Sequence, residues 1–240
     1  MKLTYIYHSC FALECDLFTI IIDYYEDTIK PSEKGYIHSY LLHRPGKIYV
    51  LSSHSHPDHF NPEILLWKQQ RDDIQYIFSQ DILESGLATK KDATYLNKLE
   101  TYKDNFLIIK AYGSTDIGIS FLIQTEGKQL FHAGDLNNWH WNEECSIEES
   151  QGYETNYLNE LKLIVNDVNH LDLAMFPVDP RLGKDYTRGA EQFINQIQTD
   201  TFAPMHFDEA YIKAAAFALY AETKRCKSIK WTHRGECITI

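Results

Sequence analysis

Long apolar stretches are missing from this 240-residue chain. The longest uninterrupted runs are a few residues, such as Ile20-Ile21-Ile22, against the ~20 that a membrane-spanning helix needs. No membrane partner is expected. Basic charge is also scarce: 23 Lys and Arg stand against 34 Asp and Glu, a net of −11. That excludes the basic stripe with which a duplex-binding module displaces phosphate counterions. It leaves room for a small anionic substrate, because a metal ion brings its own charge. The five cysteines, at 10, 15, 145, 226 and 237, are odd in number and form no C-x-x-C pair. Free thiols in a reducing cytoplasm are expected, not a disulfide framework. Met1-Lys2 runs into an alternating pattern with no apolar leader, again the expectation for a cytoplasmic protein. No repeat, low-complexity tract or Pro/Gly/Ser-rich linker divides the chain, so one domain over 1–240 is expected.

What is present reads as strands first, then strands alternating with helices. Leu3 to Tyr7, Phe11 to Cys15 and Phe18 to Asp23 are β-rich runs with turn-length gaps. Residues 24–47 read as a loop, and Ile48-Tyr49-Val50-Leu51 as a buried strand. Asn61-Pro62-Glu63 carries the marks of a helix start, and Ile74 to Phe78 is the next strand. Short helices are expected near 81–86 and 92–99. Strands follow at Phe106 to Tyr112, Ile117 to Thr125 and Gln129 to His132, the last two joined by a tight Glu126-Gly127 turn. Beyond these come helices over 153–169, Ala190 to Ile197 and 209–224, and strands at Leu173 to Val178, Phe202 to Met205, Ser228 to Thr232 and Ile238 to Ile240. The order suits a layered α/β or α+β domain with two sheets inside and helices outside.

The sharpest local signal is His54-Ser55-His56-Pro57-Asp58-His59, just after the strand at 48–51. In an extended segment His54, His56 and Asp58 share one face, while His59 has the other parity. The segment therefore offers two imidazoles to one point and a carboxylate with an imidazole to a second. Imidazole and carboxylate without thiolate are the ligand set of Zn, Fe or Mn, not of a structural zinc finger or an Fe–S cluster.

This H-x-H-x-D-H segment resembles the signature of the metallo-β-lactamase superfamily of metallohydrolases. With Tyr7-His8-Ser9-Cys10-Phe11, Phe131-His132-Ala133-Gly134-Asp135 and Ala203-Pro204-Met205-His206-Phe207, the chain resembles the branch containing ascorbate-6-phosphate lactonase-like proteins. The resemblance implies a four-layer αββα sandwich and one or two divalent transition metals, zinc first, with manganese or iron as alternatives. It implies metal ligands at His54, His56, Asp58, His59, Asp135 and His206, with Asp135 bridging two metals. Asp23, after the apolar run 20–22, resembles the family's buried aspartate that orients a ligating imidazole.

In one place the chain departs from the pattern. The superfamily has a further histidine between the motif and the bridging aspartate, yet residues 60–131 contain none; Ala111-Tyr112-Gly113-Ser114-Thr115-Asp116 stands there instead. The first metal site is left short of a ligand, and nearer one than two metals per chain are expected. Candidates to complete it are His8, His132, His140, Asp179 and His233, with His8 first and Asp179 second. Ser114, in Gly113-Ser114-Thr115, is a candidate contact to a phosphate or carboxylate oxygen. Trp139-His140-Trp141 is a candidate pocket wall, and Arg181 or Arg188 a candidate anion clamp.

The expected activity is hydrolysis of a small ester or lactone by a metal-activated water, with Asp58 orienting or deprotonating that water. The alternatives are a phosphodiesterase on the same fold and a degenerate metal-binding or ligand-sensing module. β-Lactam hydrolysis is disfavoured by the missing export signal.

Overall fold

The chain begins with two short gaps between apolar strands, and each gap folds as a tight reversal. In the computed structural model, which describes residues 1–240, β1 (Lys2–Tyr7), β2 (Cys10–Glu14) and β3 (Phe18–Ile22) form an antiparallel meander. From β3 onward the pairing turns parallel, through β4 (Lys47–Ser52), β5 (Ile74–Ser79) and β6 (Thr94–Leu96). The final strand, β14 (Cys237–Thr239), returns to pair antiparallel with β1. This seven-stranded sheet, with the short helices α1 (Tyr36–Ser39) and α2 (Gln80–Glu84), makes one compact unit of residues 1–97 and 232–240. Strands β2 and β3 are buried at every residue, as in a sheet covered on both faces. One side packs on Tyr24, Phe60, Ile64 and Trp67.

Residues 98–231 form the second unit, with the same plan. Strands β7 (Thr101–Lys103), β8 (Leu107–Gly113), β9 (Ile119–Thr125) and β10 (Lys128–His132) are antiparallel. Then β11 (His170–Pro177), β12 (Gln198–Met205) and β13 (Lys227–Ser228) continue in parallel. Helices α3 (Ile147–Asp167), α4 (Arg188–Gln196), α5 (Tyr211–Ala216) and α6 (Ala218–Thr223) accompany this sheet. The β9–β10 hairpin turns on Glu126 and Gly127 at φ 48° and 75°, the left-handed pair that a two-residue turn requires. Two sheets flanked by helices are thus the expected mixed α/β class.

Several elements differ from the sequence reading. The strand read over Ser228 to Thr232 shrinks to the Lys227–Ser228 pairing with Thr201 and Phe202, and the edge strand Thr101–Lys103 has no counterpart in that reading. Residues 92–99 contain the strand Thr94–Leu96, not a helix: Thr94 and Tyr95 pair in parallel with Ile77 and Phe78, and that distant pairing overrides local helix propensity. The helix expected over 209–224 breaks at Phe217, whose ring packs 4.5 Å from that of Phe202. Helix α3 starts six residues earlier than read, at Ile147, because Ser146 and Glu149 form a reciprocal capping box. It buries Tyr157, Leu161 and Ile164, while Leu158 is exposed. Within 24–47, residues 32–43 form short helical turns.

Candidate metal-binding residues

In the first unit the topology gathers one end of the sheet. The parallel β3–β4 pair puts Asp23 beside the residues leaving β4, with its N–H on the Leu51 carbonyl at 2.9 Å. The β1–β2 turn, His8-Ser9, falls at that same end because β2 begins opposite the close of β3. His8 and Asp23 both hold positive φ, 56° and 51°. Such strain in a non-glycine residue persists only where its surroundings over-determine it.

Asp23 is fully buried and organises the histidine motif. Its carboxylate accepts the Ser53 N–H and the Ser53 hydroxyl, each at 2.7 Å, and the His59 Nδ1–H at 2.7 Å. The Ser53 oxygen in turn accepts His54 Nδ1–H at 3.0 Å. This pattern assigns the Nδ1–H tautomer to both rings and leaves their Nε2 atoms available to an ion. His54 Nε2 faces His56 Nδ1 at 3.1 Å. Asp58 Oδ2 lies 3.3 Å from His8 Nε2 and 3.9 Å from His59 Nε2. Donor atoms of His8, Asp58 and His59 all lie within 4.8 Å of one another. The motif is not extended: His59 and Phe60 both donate to the His56 carbonyl in a turn. Asp58 is grouped with His8 and His59, the carboxylate-with-imidazole point read from the sequence, but a turn and not an extended segment brings them there.

The second unit repeats the device with different parts. Gly134, at φ 52°, turns the chain out of β10 and delivers Asp135. His206 follows β12 at φ 62°. Its Nδ1 donates to Asp179 Oδ2 at 3.0 Å, and its Nε2 lies 3.4 Å from Asp135 Oδ1. Asp179 also accepts Arg181 Nε at 2.8 Å. Burial works to raise the Asp179 pKa, but the hydrogen bonds from His206 and Arg181 prevail and hold it at about 2. A cavity of about 320 Å³ is lined by Thr115, Asp116, Asp135, Trp139, Trp141, Arg181 and His206, with Tyr153 at its wall. Trp139 and Trp141 stack at 6.4 Å and 15°, and Trp139 meets the His206 ring edge-on at 5.4 Å.

The other residues singled out by sequence are placed as follows. His132 Nδ1 accepts the Gly134 N–H at 3.1 Å. His140 Nε2–H donates to the Asp185 carbonyl at 3.1 Å, and burial lowers its pKa. His233 is a surface side chain, 68% exposed, beside Glu236. Ser114 Oγ accepts the Asp116 N–H at 3.3 Å. Arg188 pairs with Asp185 at 2.8 Å. Sequence reasoning passed over Ser53, which links Asp23 to His54. It also passed over Asp81, whose carboxylate fixes the motif loop through the Ser55 N–H at 2.8 Å. Neither has a local signature, since a Ser after a strand and an Asp in the first turn of a helix are commonplace.

A family model described as "Beta-lactamase superfamily domain" matches residues 2–149, which includes β1 to β10, the whole histidine motif and Asp135. The chain belongs to the β-lactamase superfamily. Solved structures with this superfamily fold are similar across the chain. Igni18, a metallo hydrolase from the hyperthermophilic archaeon Ignicoccus hospitalis, is 20% identical with a TM-score of 0.69, covering 100% of this chain and 97% of that one. CmlA, a diiron beta-hydroxylase from Streptomyces venezuelae, is 14% identical with a TM-score of 0.69, covering 100% of this chain and 54% of its own. YhfI of Bacillus subtilis, a metallo-beta-lactamase fold protein, is 11% identical with a TM-score of 0.63, covering 99% and 98%. No curated protein matches the chain. No helix is long and apolar enough to cross a membrane.

The residues of this superfamily member fit a divalent ion on their own chemistry. Ion–ligand bonds of about 2.0–2.2 Å at tetrahedral angles set donor atoms roughly 3.3–3.6 Å apart. Among the candidate ligands, His54–His56, Asp135–His206 and Asp58–His59 stand around that range, 3.1, 3.4 and 3.9 Å apart. Two of the imidazoles, His59 and His206, carry a carboxylate on Nδ1, the usual support of a ligating histidine.

Proposed function

We propose that this chain is a metal-dependent hydrolase of a small ester or lactone, in the branch resembling ascorbate-6-phosphate lactonase-like proteins. Its metal ligands are His54, His56, Asp58, His59, Asp135 and His206. The observation that carries this reading is the carboxylate-backed imidazole present in each unit, Asp23 on His59 and Asp179 on His206. A core histidine needs no buried anion behind it, whereas a ligand histidine gains orientation and basicity from one. Zinc suits the imidazoles, and manganese or iron suits the carboxylates.

A divalent ion supplies Lewis acidity and a water of lowered pKa. The chain's own part is positional. Asp58 accepts a proton and shares it with His8, a role supported by its half-exposed side chain and by His8 Nε2 at 3.3 Å. Arg181 is held by Asp179 but keeps 59% of its side chain in solvent, which suits it to the carboxylate or phosphate of an anionic substrate. The Trp139–Trp141 wall gives the apolar body of the substrate a flat surface. Five unbridged cysteines suit a reducing cytoplasm.

The test strips the protein with a chelator, resupplies Zn²⁺, Mn²⁺ or Fe²⁺, and assays γ-butyrolactone, p-nitrophenyl acetate and bis(p-nitrophenyl) phosphate. Metal-dependent turnover of the lactone or ester is expected. Turnover of the phosphate diester alone makes the protein a phosphodiesterase. Tight metal binding with no turnover of any substrate makes it a binding module.

A further inference from the structure

We propose that Asp116 is a metal ligand acting beside Asp135, in the stretch where the superfamily's middle histidine is missing, and that it makes the donor set richer in oxygen. This rests on the metal-dependent reading above.

Three observations within the second unit carry it. The β8–β9 register pairs Gly113 with Ile119, so residues 114–118 form the turn at the sheet end where Asp135, Asp179 and His206 emerge. That turn is fastened to the loop after β10. Thr115 Oγ1 donates to the Asn137 carbonyl at 2.6 Å and accepts the Asn137 N–H at 2.9 Å. The neighbouring residue is thereby brought to Asp135, and the carboxylate oxygens of Asp116 and Asp135 approach within 4.8 Å. Two carboxylates this close repel unless a cation lies with them.

The second, independent pointer is an imidazole. His206 is buried, its Nδ1–H is committed to Asp179, and its Nε2 is directed at Asp135 Oδ1, 3.4 Å away. Nitrogen and carboxylate donors thus converge on the cavity that Asp116 also lines. A hydrogen bond from Nε2 to Asp135 would require a second proton on the ring, whereas a cation takes both donors as they stand. Replacing imidazole by carboxylate moves a donor set from the Zn-favouring toward the Mn- and Fe-favouring end. The chain thus differs from a histidine-bearing relative in metal preference, not in the loss of a site.

Metal-free wild type, Asp116→Ala and Asp116→His are titrated calorimetrically with Zn²⁺ and with Mn²⁺, and bound metal is counted after dialysis. Because Asp116 is exposed, neither substitution disturbs the core; circular dichroism and Tm verify this. Asp116→Ala is expected to weaken at least one ion tenfold or more. Asp116→His is expected to restore the count and raise the Zn²⁺/Mn²⁺ affinity ratio at least tenfold. Unchanged affinities and count in Asp116→Ala, or an unchanged ratio in Asp116→His, overturn the assignment and leave the hydrolase reading standing. A wild type that binds neither ion overturns both.

Discussion

The two units share a topology but distribute their chemistry differently over it. In each, four antiparallel strands adjoin three parallel ones. The β1–β2 turn carries His8 in one unit, and the β8–β9 turn carries Asp116 in the other. Asp23 follows β3 in one, and Asp135 follows β10 in the other, each at the last antiparallel strand before the parallel ones. Asp23 is turned inward as a holder of His59, its charge spread over a serine and an imidazole. Asp135 faces the cavity, and the holding role passes to Asp179, after the next strand, where a guanidinium shares the anion. A sheet end of this kind fixes where side chains emerge, and the residue type at each exit decides whether it binds or supports.

The largest expected effect tests the division of labour between exposed and buried carboxylates. Asp58→Asn should lower metal-supported turnover of p-nitrophenyl acetate by about 10²–10⁴-fold, the worth of a general acid–base group. Asp179→Asn in the second unit acts through His206 and Arg181 and should cost about 10–100-fold, appearing first as weaker metal binding. If the Asp58 variant turns over normally, the first unit has no proton-handling role and the contrast fails.

Much of this arrangement was legible because local rules agree with the global fold. The Ile20-Ile21-Ile22 run ends in a carboxylate that burial alone would make costly, and Asp23 is indeed placed against the histidine motif. The Glu126-Gly127 turn needed only its dipeptide. Asp116 was hidden because an aspartate in a Ser-Thr-Asp-Ile-Gly segment carries the ordinary signal of a turn. Its position depends on Thr115 reaching Asn137 across 22 residues. The strand Thr94–Leu96 was hidden for a related reason: its partner lies 17 residues upstream, outside any helical window. The shared plan of the two sheets leaves no repeat in the sequence, since a strand order can recur without any residue recurring.

A smaller effect separates the two holders by stability. Asp23→Ala strands the Ser53 N–H, the Ser53 hydroxyl and the His59 Nδ1–H in a buried site. Buried donors without acceptors are costly, so a loss of about 3 kcal/mol is expected in urea denaturation of the metal-free protein. Asp179→Ala frees Arg181, already 59% exposed, to turn into water, and about 1–2 kcal/mol is expected. Equal losses would show that the guanidinium gives Asp179 no such relief.

The smallest effect has opposite signs in the two units. His38 in the first unit donates Nδ1–H to Asp27 at 2.8 Å and Nε2–H to Glu63 at 2.7 Å. Burial works to lower its pKa, but hydrogen bonds and charge from Asp27 and Glu63 prevail and raise it. His140 in the second unit donates to one carbonyl and accepts the Asn142 N–H at 3.2 Å, a neutral ring whose pKa burial lowers. A raised folded-state pKa gives stability that is complete below the unfolded value of ~6.5 and is lost as pH rises through the folded value. A lowered one gives stability that is complete above ~6.5 and is lost as pH falls through the folded value. His38→Gln should therefore cost most in acid, about 1–2 kcal/mol at pH 5.5, and less at pH 8.5. His140→Gln should cost more at pH 8.5 than at pH 5.5. Chemical denaturation of both variants at the two pH values reads the slopes directly. Slopes of the same sign would mean that the Asp27–Glu63 pair does not hold His38 as a cation, and the contrast between a charged and a neutral buried imidazole would be lost.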